Sequence, residues 1–171
     1  MKKTLAIIFV LTIILGLPAC KDSKLKNLEG KNTYEFEGIV AAIPNDFYVV
    51  EDSSPVTAYS DADNDSGLID SVSFTLAGVD SLSNYDKDKI TNLYSSNFSG
   101  FTGISRYETS KVGDNDIIIV TYGLQYEEFK TIQSQAWIFL DDKSIIITYT
   151  SMTGTYDEDF EFSIQNIALA E

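Results

Sequence analysis

No histidine occurs among the 171 residues, and cysteine occurs once, at Cys20. The first absence removes His-based triads, His general bases and His metal ligands. The second removes thiol catalysis, internal disulfides and Cys-ligated zinc from everything after residue 20. Basic residues are scarce as well, 12 against 26 acids, for a formal net charge of −14. Residues 1–33 hold six lysines and two acids, so residues 34–171 keep six basic and 24 acidic residues, a net of −18. Such a surface repels phosphate backbones, which argues against direct nucleic-acid binding. It favours solubility and cationic partners, metal ions included. Glycine-rich phosphate loops and nucleophile elbows are missing too. Any catalysis would fall to Asp, Glu, Lys, Ser, Thr or Tyr.

What is present begins with a leader. Lys2 and Lys3 precede an apolar stretch from Leu5 to Leu17, interrupted only by Thr12 and Gly16. This is the pattern of an export signal. Thirteen residues rise about 20 Å as a helix, short of a hydrocarbon core of about 30 Å. The stretch ends in Leu17-Pro18-Ala19-Cys20, which resembles the lipobox of bacterial lipoproteins. Leu17 and Ala19 match the residue types of that motif, and Pro18 is a less usual choice. The resemblance implies a signal peptide over residues 1–19, lipid on Cys20, and a chain held on the extracytoplasmic face of a cell membrane.

Residues 20–33 read as a lipidated tether, polar and without apolar periodicity. Thirteen flexible residues reach roughly 20 Å. Lysines 21, 24, 26 and 31 would favour anionic headgroups while the acidic domain is pushed away; a merely soluble linker is the simpler reading. Residues 34–171 form one domain, large enough to bury roughly two thirds of its unfolded surface without staples.

Along that domain, Tyr34 to Ile43 reads as a strand closed by the turn Pro44-Asn45-Asp46. Phe47 to Val50, Val56 to Tyr59 and Leu68 to Leu76 read as further strands, with a loop from Ser60 to Gly67. A helix is expected over Asn84 to Asn97, capped by Ser83, with Ile90, Leu93, Tyr94 and Phe98 on one face. Four strands follow: Ile104 to Thr109, Asp116 to Leu124, Thr131 to Leu140, and Ser144 to Thr150 after a tight turn at Asp141-Asp142. Ile145, Ile147 and Tyr149 share one face, and Trp137 and Phe139 are expected to face the same core. Thr155 and Glu158 have capping-box spacing ahead of a terminal helix with the stripe Phe160, Ile164 and Ile167. The order predicts an α+β fold, a mainly antiparallel sheet with a central and a C-terminal helix packed on it. The opening Ile43-Pro44-Asn45-Asp46-Phe47, the central helix, the meander ending Tyr149-Thr150-Ser151 and the helix after Thr155 resemble the layout of PsbP-like and Mog-like domains. Lipoproteins of the DcrB kind are similar. This resemblance implies partners that are proteins or protein complexes and carries over no particular site residue.

Three constellations bear on chemistry. Asp61, Asp63 and Asp65, in Asp61-Ala62-Asp63-Asn64-Asp65-Ser66-Gly67, space oxygens as a calcium loop does. The glycine comes one place late, Val72 stands where a bidentate Glu belongs, and the same residues suit a solvated hairpin turn. Acidic neighbours at Glu51-Asp52, Glu127-Glu128, Asp141-Asp142 and Asp157 to Asp159 read as turn and helix-start residues, because a glycosidase needs two carboxylates facing each other across a cleft. Tyr48, Tyr126 and Tyr156 lie at element ends, where exposed aromatics anchor partners; core packing is the commoner fate of tyrosine. Among these readings the sequence favours a non-catalytic, lipid-anchored domain that engages an envelope protein through Tyr126 and Tyr156 and needs no cofactor. The rivals are a calcium or metal module at Asp61, Asp63 and Asp65, and a small hydrolase without histidine.

Overall fold

The strand-forming runs of the C-terminal half grow into long antiparallel strands, because β-branched and aromatic residues there occupy both faces of a sheet. The computed structural model describes residues 26–28, 31–51, 55–60 and 69–170. Its elements are Lys26–Leu28 (β1), Lys31–Phe36 (β2), Ile39–Ile43 (β3), Tyr48–Glu51 (β4), Val56–Tyr59 (β5) and Ser71–Ala77 (β6). A 3₁₀ turn at Leu82–Asn84 leads into Lys87–Asn97 (α1). Phe101–Val112 (β7), Asn115–Tyr126 (β8), Phe129–Phe139 (β9), Ser144–Ser151 (β10), Asp157–Gln165 (α2) and Ala168–Leu169 (β11) complete the chain. Seven strands form one sheet in the order β4-β5-β6-β10-β9-β8-β7, and four form a second in the order β1-β2-β3-β11. All the pairings are antiparallel, and with the two helices they make the α+β class that the sequence predicts.

The large sheet is buried on both faces. Ile117, Ile119, Ile138, Ile145, Ile147 and Phe74 pack against the small sheet and against Phe160 and Ile164 of α2. Ile118, Val120, Tyr122, Trp137, Phe139 and Ile146 pack on the other side, against Ile90 and Tyr94 of α1. Trp137 and Phe139 therefore do not share a core with Ile145 and Ile147. Trp137 lies opposite Ile146, and residues directly opposite in a sheet point to the same face.

Several expected boundaries move, each for a local reason. Tyr34 to Ile43 is two strands, joined by Glu37 and Gly38 with φ of 51° and 89°. Two positive φ angles in a two-residue loop suit the right-handed twist of a hairpin. β2 begins at Lys31 and buries Thr33, so the end of the polar segment read as tether is paired in the small sheet. α1 begins at Lys87, where the Asp86 carboxylate accepts from Lys89 N at 2.8 Å; Ser83 lies in the 3₁₀ turn instead. That turn is tied by Asp80, which accepts from Tyr85 Oη, from Asn84 Nδ2 and from Ser81 N at 2.8 Å. Burial, with the Asp80 carboxylate beside it, pushes the Tyr85 phenol up to about 12, and the ring meets Trp137 edge-on at 5.0 Å.

The capping box at α2 does not form. Tyr156 occupies the cap position without a side-chain cap bond, and Thr155 N donates to Thr153 Oγ1 at 3.1 Å. Asp157, Glu158 and Asp159 face the positive end of the helix dipole in its place. Thr155→Ala is accordingly expected to change stability by less than about 0.5 kcal/mol, the range of an ordinary surface substitution. A drop in the urea midpoint equivalent to about 1 kcal/mol or more would restore Thr155 as a helix cap.

Candidate functional site

One end of the large sheet carries Tyr126 and Tyr156, the two tyrosines that the sequence singles out for a partner. There β5, β8 and β10 finish and β6, β7 and β9 begin. Tyr126 closes β8 and lies opposite Phe129, which opens β9, with the turn Glu127-Glu128 between them. Glu127 adopts φ of 54°, a left-handed conformation that costs a non-glycine residue roughly 1–2 kcal/mol. Tyr126 is 45% exposed and Phe129 52%. Both are on the α1 side of the sheet, in line with Leu124 and Tyr122. The loop after α1 is pinned to this hairpin: Gln125 N donates to Gly100 O at 2.8 Å. Gly100 has φ of 97°, and a Cβ there would lie 2.3 Å from Gln125 O, so no side chain fits that approach. Ser99, Gly100, Gln125, Tyr126, Glu127 and Phe129 thus line an open hollow of about 410 Å³.

A second hollow, of about 280 Å³, opens on the opposite face between α2 and the sheet. Its floor is a polar break in an otherwise apolar surface, with Thr121 Oγ1 and Ser134 Oγ 2.9 Å apart on adjacent strands. Ile132, three residues along β9 from Phe129, stands in it 40% exposed. Arg106, the only arginine in the chain, bounds the hollow and is engaged twice: Nη1 donates to Glu161 at 2.6 Å and Nη2 to Glu108 at 2.8 Å. The Glu108 hydrogen bond, with the charge of Glu161, pushes the guanidinium further above its usual range despite partial burial. Among the described residues, no Ser, Thr or Tyr hydroxyl lining either hollow hydrogen-bonds a carboxylate. Thr121 and Ser134 bond each other, and Ser151 Oγ accepts from Gly154 N at 3.0 Å.

The same end is tied together by a buried carboxylate. Asp70, fully buried, accepts from Met152 N and Thr153 N at 2.5 and 3.0 Å and from Thr153 Oγ1. Its own N–H donates to Ser60 Oγ at 3.1 Å, and Ser60 N donates to Asp70 O at 3.0 Å. This latch holds Ser60 and Asp70 against the segment leading into α2.

Of the residues read from the sequence, Cys20 and Asp61, Asp63 and Asp65 lie outside the described residues. Tyr126 is on the surface, in the first hollow. Tyr156 reaches the same end from the opposite face of the large sheet and is half-buried. Its hydroxyl donates to Asp46, and its ring meets Phe47 edge-on at 4.9 Å, so it packs the domain instead of lining a hollow with Tyr126. Tyr48 is 48% exposed in β4, at the far edge of the sheet from β7. Among the described residues no three Asp, Glu, His or Cys side chains converge to hold a metal. The sequence patterns do not single out Phe129, Ile132, Arg106 or Asp70. For Phe129 a signal existed in Tyr126-Glu127-Glu128-Phe129, two aromatics flanking a two-residue turn.

No protein-family model matches the chain, and no curated protein does. Solved structures do. The cyanobacterial PsbP protein CyanoP from Synechocystis matches with a TM-score of 0.57 at 11% identity, covering 92% of this chain and 99% of that one. LpqN of Mycobacterium tuberculosis, described as involved in cell envelope biogenesis, matches with a TM-score of 0.54 at 11% identity, covering 78% and 83%. PA94 of Pseudomonas aeruginosa, of unknown function, matches with a TM-score of 0.52 at 12% identity, covering 82% and 98%. The fold is PsbP-like. Among the described residues no helix is long and apolar enough to cross a membrane.

Proposed function

We propose that this chain is a lipid-anchored, extracytoplasmic binding domain without catalytic activity, and that it captures an envelope protein at the tip of the β8–β9 hairpin. One observation carries the reading: Tyr126 and Phe129 stand side by side and exposed at the mouth of a hollow. Neighbouring aromatics with solvent on one side and a packed sheet behind are the usual anchors of protein interfaces. The PsbP-like fold supports a partner-binding role, and so does its likeness to LpqN, which is described as involved in cell envelope biogenesis. The lack of histidine, and of any cysteine beyond Cys20, supports the non-catalytic part.

Capture is tested by placing a photo-crosslinking residue at position 126 in cells and identifying the products by mass spectrometry. One dominant envelope protein is expected, and Phe129→Ala with the crosslinker kept in place should cut its yield at least tenfold. Raising salt should weaken the purified complex, since an acidic surface draws a basic partner over a Debye length of about 8 Å. A crosslinker at exposed Asp88 giving the same products at the same yield would remove the hairpin from the reading. Turnover of a hydrolase substrate that is lost with Asp157→Asn or Glu161→Gln would make the protein an enzyme.

The anchor rests on Leu17-Pro18-Ala19-Cys20. Cys20→Ala is expected to move the protein from the detergent phase to the aqueous phase and to abolish the acyl mass on the N-terminal peptide. A Cys20→Ala protein that stays lipidated and membrane-bound contradicts the assignment.

A further inference from the structure

The geometry points to a partner that inserts one basic side chain, a lysine or an arginine, into the hollow between α2 and the large sheet. This rests on the binding reading above and names the chemistry recognised there. Two carboxylates line the hollow, those of Asp157 and Glu161, beside the single guanidinium of Arg106, whose charge is also taken up by Glu108 outside the lining. Arg106 is already committed to Glu108 and Glu161. No hydrogen bond or ion pair among the described residues engages the Asp157 carboxylate, which is exposed at the start of α2.

The rest of the wall suits the two halves of such a side chain. Ile132 and Phe160 offer apolar surface, on which an alkyl stem lies while its charged end reaches polar groups. The oxygens of Thr121 and Ser134 bond each other at 2.9 Å, and each hydroxyl has two lone pairs, so an acceptor site remains for an incoming N–H. The volume of about 280 Å³ is room for one side chain and not for a helix. An anion would meet the two lining carboxylates, and a wholly apolar group would desolvate the unpaired Asp157 carboxylate. The hollow is also next to the capture surface, since Ile132 and Phe129 belong to one strand and project from its opposite faces. A segment crossing the hairpin tip would contact both. The net charge of −18 over residues 34–171 adds a long-range pull on the same kind of partner.

The test uses the full chain in neutral detergent micelles, titrated calorimetrically with hexalysine and with the same peptide acetylated on every Nε. Hexalysine should bind, and the acetylated peptide should not. Asp157→Asn should weaken hexalysine at least fivefold. Asp142→Asn makes the same change of formal charge in the turn at the other end of the sheet, and it should alter the affinity by less than 1.5-fold. Ile132→Lys, which places a resident ammonium in the hollow, should weaken it at least as much as Asp157→Asn, with the emission of the single tryptophan, Trp137, reporting that the fold is intact. Equal losses for Asp157→Asn and Asp142→Asn would overturn the inference in favour of diffuse attraction. Binding of the acetylated peptide, or no binding of hexalysine, would also overturn it. None of those outcomes touches the crosslinking at position 126, whose failure would instead remove the binding reading itself.

Discussion

Asp70→Ala is expected to lower the stability of the domain by about 3–5 kcal/mol, because hydrogen bonds to a charged acceptor are worth roughly 1.5–3 kcal/mol each and orphaned donors add to the loss. The carboxylate accepts from Met152 N, Thr153 N and Thr153 Oγ1 and is fully buried, so alanine leaves those donors without their acceptor. Set against a total of about 5–15 kcal/mol for an ordinary domain, such a loss leaves a measurable unfolded fraction at body temperature. Asp70→Asn keeps one carbonyl oxygen for the two backbone donors and should cost distinctly less. Urea unfolding followed by Trp137 emission reads the global effect, and hydrogen exchange at Met152 and Thr153 reads the local one. An Asp70→Ala protein within about 0.5 kcal/mol of the parent, the range of an ordinary surface change, would mean the latch contributes nothing. The effect should also reach the site, because the latch holds the segment from which α2 presents Asp157 and Glu161.

Gln135→Leu should produce the second large effect, a loss of about 2–5 kcal/mol, since each buried polar group left without a partner costs roughly 1–3 kcal/mol. Gln135 is buried beneath α1 with its amide filled on both sides. Oε1 accepts from Tyr94 Oη at 2.5 Å and Trp137 Nε1 at 2.8 Å, while Nε2 donates to Thr148 Oγ1 at 3.1 Å and Tyr122 Oη at 3.3 Å. Burial pushes the Tyr94 and Tyr122 phenols well above the usual range, so both stay neutral donors at any working pH. Leucine fills a similar volume and satisfies none of these groups. Adding Tyr94→Phe to Gln135→Leu should recover about 1 kcal/mol, because one orphaned hydroxyl disappears, and the coupling between two residues in contact is what a double-mutant cycle measures. A second substitution that adds its full independent cost would show that the two side chains are not coupled. Because Tyr94, with Ile90, packs α1 on the sheet, the single change should also loosen the loop at Gly100 that borders the Tyr126 hollow.

Those two buried groups mark the boundary between what can be read along the chain and what cannot. The α+β class, the central and terminal helices and the antiparallel run from residue 101 to residue 151 follow from patterns that neighbours in sequence create. A period of two makes a strand, and Ile90, Leu93 and Tyr94 make a helical face. The lack of histidine, the acidic excess and the place of Tyr126 at an element end were legible in the same way. The face that Trp137 takes was not. Ile117-Ile118-Ile119-Val120 and Ile145-Ile146-Ile147 are apolar at every position, so alternation cannot assign one face to α1 and the other to α2. Asp70 meets Met152 across 82 positions, Arg106 meets Glu161 across 55 and Tyr94 meets Gln135 across 41. Asp70 reads along the chain as one polar residue in the expected strand Leu68 to Leu76, and Thr155 as a helix cap, since spacing carries the potential for a bond and not its partner. The amino-acid sequence by itself determined the elements, the charge and the chemistry that is excluded, because these depend on residues within a few positions of one another. Only the tertiary structure decided which tyrosine stays exposed, where the two hollows open and which carboxylate is buried, because burial and pairing depend on strands brought together from distant parts of the chain.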